Sequence, residues 1–305
     1  MNSVPYWLKK RLTVNEAFFD TKKVLAEFSV NTVCESARCP NLNECFSSKF
    51  ATFMILGNAC TRSCAFCSVE KACLPAGREA PGPVDNGEPG RIAACVKRLG
   101  LKHVIITSVT RDDLDDGGAG QFAKAVKAVR AVSGDATIEL LIPDFRGDRK
   151  AIAAAVLSGA DIVGHNIETV SRLYPVVRRG GDYAGTLDII RSLKEICPGL
   201  RVKSAILLGL GESEEEAVDC IKDLRSAGCD ILMIGQYLSP GPENHPVDRF
   251  VRPEEFERLR KFGMSIGFKH VSAGPFVRSS YIVGSKKEHK TQEHRTQEKA
   301  FTCDL

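Results

Sequence analysis

Phe50-Ala-Thr-Phe-Met-Ile-Leu56 is an apolar run, and it leads into Cys60-Thr-Arg-Ser-Cys64-Ala-Phe-Cys67. The run reads as a strand, and three thiols follow it at spacings of four and three residues. Three thiolates on one short loop can hold three irons of a cubane cluster and leave the fourth iron open for chemistry, whereas a fourth cysteine would close it into an electron carrier. Two plainer readings stand beside this one. Positions 60, 64 and 67 also fall on one face of a helix, and three thiols are one ligand short of a zinc site. Zinc thiolate sites usually come as paired CxxC, so the spacing favours iron and sulfide.

Around this loop the chain alternates between strand and helix. Strands are predicted at Phe50–Leu56, His103–Thr107, Thr137–Ile142, Asp161–His165, Arg201–Leu208, Ile231–Gly235 and Val271–Phe276. They are mostly Val/Ile/Leu-rich runs bounded by Gly, Pro or Asp. Helical periodicity fills 90–99, 119–132, 149–158, 186–196, 213–227 and 253–265, with a capping box at Ser213–Glu216 and a helix-opening Pro253. Near-continuous apolar strands separated by helices imply a parallel sheet covered by helices. Periodicity does not choose between a barrel and an open sheet, but polar residues do. Cys60, Thr107, Ser108, Asp144, Asn166, Glu168, Gly211, Glu212, Gln236 and Arg278 gather after successive strands. Chemistry supplied from many strand ends is the signature of a βα-barrel mouth.

Upstream lies a second cysteine set, Cys34-Glu-Ser-Ala-Arg-Cys39-Pro-Asn-Leu-Asn-Glu-Cys45, which shows neither alternation nor helical period and reads as a loop wrapped on metal. Residues 1–14 read as extended, with Trp7 and Leu8 as a docking segment, and 15–28 as a short helix. The stretch 286–299 is polar, mixed in charge and aperiodic, which predicts disorder.

CxxxCxxC with Phe66 before its last cysteine resembles the cluster loop of the radical S-adenosylmethionine superfamily. With the second set and Arg278-Ser279-Ser280-Tyr281 near the other end, the chain resembles the lipoyl synthase family, from Pro5 through Tyr281. The resemblance implies an α/β fold, an incomplete (β/α)6-type TIM barrel with a C-terminal segment closing its mouth. Residues 1–48 would be an extension carrying an auxiliary cluster, 49–284 the barrel ending in the Arg-Ser-Ser-Tyr motif, and 285–305 a disordered tail.

The resemblance also implies roles. Cys60, Cys64 and Cys67 would hold a [4Fe-4S] cluster whose open iron is chelated by S-adenosylmethionine. Cys34, Cys39, Cys45 and Ser280 would hold an auxiliary [4Fe-4S] cluster, consumed as it donates sulfur. The residues alone leave that second set open as electron relay, substrate anchor or sulfur source. Contacts to S-adenosylmethionine are expected from Phe66, Thr107, Ser108, Asn166, Glu168, Gly211 and Glu212, with Arg278 and Tyr281 supporting substrate or cluster. Plainer readings remain for several of these: Asn166 and Glu168 equally suit a helix cap with a first-turn acid, and a glycine pair before Glu212 can serve only a turn. One departure stands out, since the family has histidine where this chain has Gln121.

The implied reaction inserts two sulfur atoms, at C6 and C8, into an octanoyl group amide-linked to a lysine of a carrier protein, using two molecules of S-adenosylmethionine. The carriers would be a glycine-cleavage H protein or lipoyl domains of 2-oxoacid dehydrogenases. An electron donor such as flavodoxin or ferredoxin and a protein that resupplies the auxiliary cluster are implied too. A biotin-synthase-like enzyme would spread its auxiliary ligands through the barrel, and a plain electron carrier would need four protein ligands per cluster and no polar mouth.

Composition agrees with an enzyme of this kind. The chain has 305 residues, 43% hydrophobic and 26% charged, which suits a soluble globular protein with a large core. Net charge is +4, with no basic run interleaved with aromatics, so nucleic acid is not indicated. Of 12 cysteines, the six outside the two sets are scattered, and Cys95, Cys197 and Cys220 lie on predicted helices as small core residues. Clustered ligand spacing without a signal peptide, and no apolar run of membrane length, place the protein in the cytoplasm. Lys9, Lys10 and Arg11 ahead of the first acid would also suit an organelle transit peptide, but the resemblance already begins there.

Overall fold

The computed structural model describes residues 4–10, 14–72 and 81–280. An N-terminal extension carries α1 (Glu16–Glu27), α2 (Val33–Ser36) and α3 (Leu42–Ser47) before β1 (Thr52–Ile55). A two-stranded ribbon follows, β2 (Ala59–Cys60) paired with β3 (Glu70–Lys71). Then come α4 (Glu88–Leu99), β4 (His103–Ser108), α5 (Ala119–Val132), β5 (Thr137–Leu141), α6 (Arg149–Val156) and β6 (Ile162–Gly164). After the short α7 (Tyr174–Val177), the chain continues through α8 (Tyr183–Ile196), β7 (Arg201–Leu208), α9 (Glu214–Ser226), β8 (Ile231–Gln236), α10 (Pro253–Ser265) and β9 (His270–Gly274).

Seven strands form one parallel sheet in chain order, β1-β4-β5-β6-β7-β8-β9. Among the described residues β1 and β9 are its two outermost strands and do not pair with each other, so the sheet is the expected incomplete barrel, with β9 as a strand beyond the six-fold unit. Alternation along the strands sends Ile138, Leu140, Val202 and Ile206 into the main core beneath the helices. The opposite, concave face carries a separate apolar group of Ala205, Met233 and Val277, and below it the buried pair Lys203–Glu139 at 2.7 Å.

Local chemistry explains the helix starts. Ser213 and Glu216 form the reciprocal capping box that their spacing predicts, and Pro253 opens α10. α5 follows Gly117 and Gly118, both left-handed; a Cβ on Gly118 would sit 2.2 Å from Leu56 Cδ1. No helix of the described residues is long and apolar enough to cross a membrane.

Two expectations are corrected. The second cysteine set is not an irregular loop, because Cys34 lies in α2 and Cys45 in α3. Thr32 caps α2 by accepting from the Glu35 amide, and turns this short have no room for a helical period. Near the N-terminus, Tyr6–Leu8 is a 3-10 turn rather than extended chain. Trp7 does dock, its indole Nε1 donating to the Val251 carbonyl at 3.2 Å, with Leu8 buried. Cys95 and Cys220 are buried in α4 and α9 as predicted, and Cys197 is buried at the end of α8. Tyr281 and the predicted tail lie outside the described residues.

Candidate active site

Leu56 and Gly57, both left-handed, turn the chain from β1 into the cysteine loop. Cys60 stands on β2, and its Sγ accepts from the amides of Thr110 at 3.3 Å and Arg62 at 3.4 Å. Cys64 and Cys67 lie in irregular backbone, so the three thiols do not share a helical face. The loop is pinned from both sides of the mouth. Ala65 N donates to the Val177 carbonyl at 2.8 Å, while Asn244 Nδ2 donates to the carbonyls of Cys67 at 3.0 Å and Ala65 at 3.2 Å. Burial pushes the Cys64 thiol up to about 11, opposed by Arg178 and reinforced by Cys60. Burial likewise pushes Cys67 up to about 12, and both other thiols of the loop add to the rise.

The residues proposed to contact S-adenosylmethionine divide into two groups. Ser108 Oγ and Asn166 Oδ1 are buried at the mouth without a hydrogen-bond partner among the described residues. Unpartnered buried polar atoms at strand ends fit the polar groups of an incoming cofactor. Asn166 Nδ2 donates to Glu168 Oε1 at 3.0 Å, and burial raises the Glu168 carboxyl above its ordinary range. Neither residue caps a helix: Glu168 bridges Ile206 in left-handed backbone at φ 64°. The second group is engaged within the protein. Thr107 Oγ1 donates to the Leu141 carbonyl at 2.9 Å, and Glu212 accepts from the amides of Gly209 at 2.7 Å and Leu210 at 2.9 Å. Glu212 thus shapes its own turn, while a Cβ on Gly211 would meet Asp248 and Leu173 only at 4.0 Å. Phe66 is half-buried and packs against the core.

The second cysteine set is also largely buried. Burial pushes Cys34 up to about 11 and Cys45 up to about 12; Cys39 adds to the rise of both, and Cys34 to that of Cys45. Each interval of the set carries an anchor to the barrel. Ser68 Oγ donates to the Ser36 carbonyl at 2.9 Å, Arg38 Nη1 to the Pro240 carbonyl at 3.3 Å and Asn41 Nδ2 to the Phe276 carbonyl at 2.7 Å. Arg278 returns over β8, where a Cβ on Gly235 would meet the Val277 carbonyl at 2.1 Å, and its Nη1 donates to that carbonyl at 2.7 Å. The segments that carry the two cysteine sets are thus both tied to the same end of the barrel.

The radical SAM superfamily model matches residues 54–235. Lipoyl synthase of Geobacter metallireducens is 51% identical over 277 residues, 91% of this chain and 95% of that protein. Lipoyl synthase of Caldicellulosiruptor bescii is 47% identical over 284 residues, 93% of this chain and 95% of that protein. The chain belongs to the lipoyl synthase family. Solved structures share the fold at low identity. Methylornithine synthase PylB matches with a TM-score of 0.51 at 16% identity, covering 94% of this chain and 92% of its own. HydG, a maturase of the [FeFe]-hydrogenase, matches with a TM-score of 0.53 at 15% identity, over 85% and 68%. As a lipoyl synthase family member in the radical SAM superfamily, the chain is a sulfur-inserting enzyme that works with S-adenosylmethionine and a [4Fe-4S] cluster.

In this lipoyl synthase family chain several residues matter that sequence reading did not single out. Arg178 donates from Nη1 to the Asn166 carbonyl at 2.6 Å and from Nη2 to His165 Nε2 at 3.0 Å, behind the mouth. Burial and that guanidinium lower His165 to about 4, so the ring is neutral, with Nδ1–H donating to the Ile142 carbonyl. Arg62 and Asn244 hold the cysteine loop. Arg62 was visible inside the motif; Asn244, 177 residues from Cys67, carried no local signal. Gln121 does not reach the mouth: its Nε2 donates to the Asp85 carbonyl and to Glu88, which in turn accepts from the Leu56 amide.

Proposed function

We propose that this chain replaces C–H bonds at C6 and C8 of a carrier-bound octanoyl group with C–S bonds, using two S-adenosylmethionine molecules and sulfur from an auxiliary [4Fe-4S] cluster. Cys60, Cys64 and Cys67 would hold the first cluster, and Cys34, Cys39, Cys45 and Ser280 the auxiliary one. With S-adenosylmethionine bound and the first cluster reduced, that pair supplies a primary carbon radical able to break an unactivated C–H bond. Ser108 and Asn166 would orient the cofactor's polar ends, beside Glu168 and Gly211. Ala205, Met233 and Val277 give the concave face an apolar wall suited to an octanoyl chain and to the exclusion of water. Arg278 and Tyr281 would support substrate or cluster from the segment after β9. Residues 1–48 would act as a cluster-bearing extension of a barrel spanning 49–284.

What supports this reading is the presence of two three-cysteine sets on segments anchored to the same end of one barrel, since radical generation alone needs only one. The partners would be octanoylated H protein or lipoyl domains, a flavodoxin or ferredoxin, and a cluster-resupply protein, all in the cytoplasm. The test replaces each triplet with Ala in anaerobically reconstituted protein. The Cys60/Cys64/Cys67 variant should form no 5′-deoxyadenosine. The Cys34/Cys39/Cys45 variant should still form it while giving no thiolated carrier by mass spectrometry. Thiolated product from the second variant would overturn the sulfur-source reading.

A further inference from the structure

Sulfur capture requires that the carbon activated at one cysteine group lie against the other, so some feature must fix their spacing. Among the described residues, one hydrogen bond joins the two cysteine-bearing segments directly: Ser68 Oγ to the Ser36 carbonyl at 2.9 Å. Ser68 directly follows Cys67, and Ser36 is the last residue of α2, two after Cys34. Both ends of this link are held independently. On the barrel side, Asn244 Nδ2 binds the Cys67 carbonyl, and Asn244 is itself buried. On the extension side, Thr32 caps α2 and Asn31 accepts from the Met54 amide at 2.9 Å, fixing α2 against β1. The other anchors are indirect: Arg38 reaches Pro240, four residues before Asn244, while Asn41 reaches Phe276 and Trp7 reaches Val251 away from the Cys60–Cys67 loop.

We propose that Ser68 is a positioning residue that sets the separation of the two cysteine groups, and thereby the share of substrate radicals captured by sulfur. The inference rests on the sulfur-source reading above. A hydroxyl-to-carbonyl bond in a half-buried setting contributes about 1 kcal/mol, near a five-fold effect on a partition ratio. Its loss should leave each group intact and let their relative position drift.

Three measurements test this on Ser68→Ala and Ser68→Thr. In the cluster-free chain, amide exchange over residues 33–39 should quicken several-fold in S68A and return towards wild type in S68T, which keeps the hydroxyl. In reconstituted protein, 5′-deoxyadenosine formed per thiolated carrier should rise about five-fold in S68A, with iron content per chain retained. Pulsed EPR of the doubly reduced protein should find a broader distribution of the distance between the two clusters. Unchanged exchange together with an unchanged ratio in S68A would overturn the inference. Loss of iron in S68A that S68T does not restore would make the residue a structural support of the loop and overturn it equally. Neither result touches the sulfur-source reading, which stands or falls on the cysteine variants.

Discussion

The guanidinium of Arg62 meets Asp112 side-on, Nε facing Oδ2 and Nη2 donating to Oδ1 at 2.9 Å. Its remaining N–H groups reach Asp144 at 3.1–3.2 Å and the Gly180 carbonyl. One side chain inside the cysteine loop thus ties the ends of β4 and β5 to the segment before α8. Arg62→Lys keeps the charge and loses the planar fork. Hydrogen bonds to charged groups contribute about 1.5–3 kcal/mol each, so the loop should open far more often. Iron release from the reconstituted protein to a chelator should accelerate at least ten-fold, followed by absorbance. An unchanged release rate would mean the clamp does not stabilise the loop.

The buried pair at the floor of the concave face makes a stability prediction with a pH dependence. Burial pushes the Glu139 carboxyl up, but Lys203 and His103 outweigh it and hold the group below its ordinary range. A depressed carboxylate contributes stability above its unfolded pKa, and that contribution fades as pH falls through the folded value. Lys203→Met strands the carboxylate and should cost roughly 3–5 kcal/mol at neutral pH. Adding Glu139→Gln should recover much of this, because no buried charge is then unpaired. Urea unfolding of the cluster-free chain at neutral and acidic pH reads both effects, and the single variant's deficit should shrink in acid.

Two glycines in one turn should respond unequally. A Cβ on Gly209, at φ 94°, would stand 2.3 Å from Gln236 Nε2 and 2.5 Å from the Arg249 carbonyl. Gly211, at φ 112°, has nothing closer than 4.0 Å. Gly211→Ala therefore adds only backbone strain, about 1–2 kcal/mol, whereas Gly209→Ala also displaces backbone. The melting temperature should fall further for Gly209→Ala. Gly211→Ala should instead weaken S-adenosylmethionine binding by calorimetry, if the open side of that turn receives the cofactor.

Ser280 lies four residues beyond Phe276, whose carbonyl accepts from Asn41 within the second cysteine set. An oxygen donor suits iron in a sulfide cluster less well than thiolate does. As fourth ligand it would release its iron readily when sulfur is attacked. Ser280→Cys should assemble a full auxiliary cluster and donate sulfur poorly; Ser280→Ala should assemble a less stable one. Both should retain 5′-deoxyadenosine formation. Mössbauer spectra and iron counts beside product yield decide this, and normal thiolation by Ser280→Cys would remove the lability argument.

Local sequence determined a great deal here. Hydrophobic period placed the sheet strands and their covering helices, because each face of a strand or helix is written in adjacent residues. The capping box at Ser213 and the opening at Pro253 followed from side chains that act within one turn. Cysteine spacing singled out both sets as candidate ligands, since donors supplied by one short segment lie close in the chain. Tertiary structure decided the rest. Periodicity allowed Cys60, Cys64 and Cys67 to share a helix face, and only the pairing of β2 with β3 removed that option. Asn166 and Glu168 read equally as a cap, until β6 ended without a helix and Glu168 bridged Ile206. Arg62 reaches Asp112 across 50 residues, and Ser68 reaches Ser36 across 32. Such contacts depend on how strands, loops and extension pack at the mouth, and packing between distant segments leaves no period in either one.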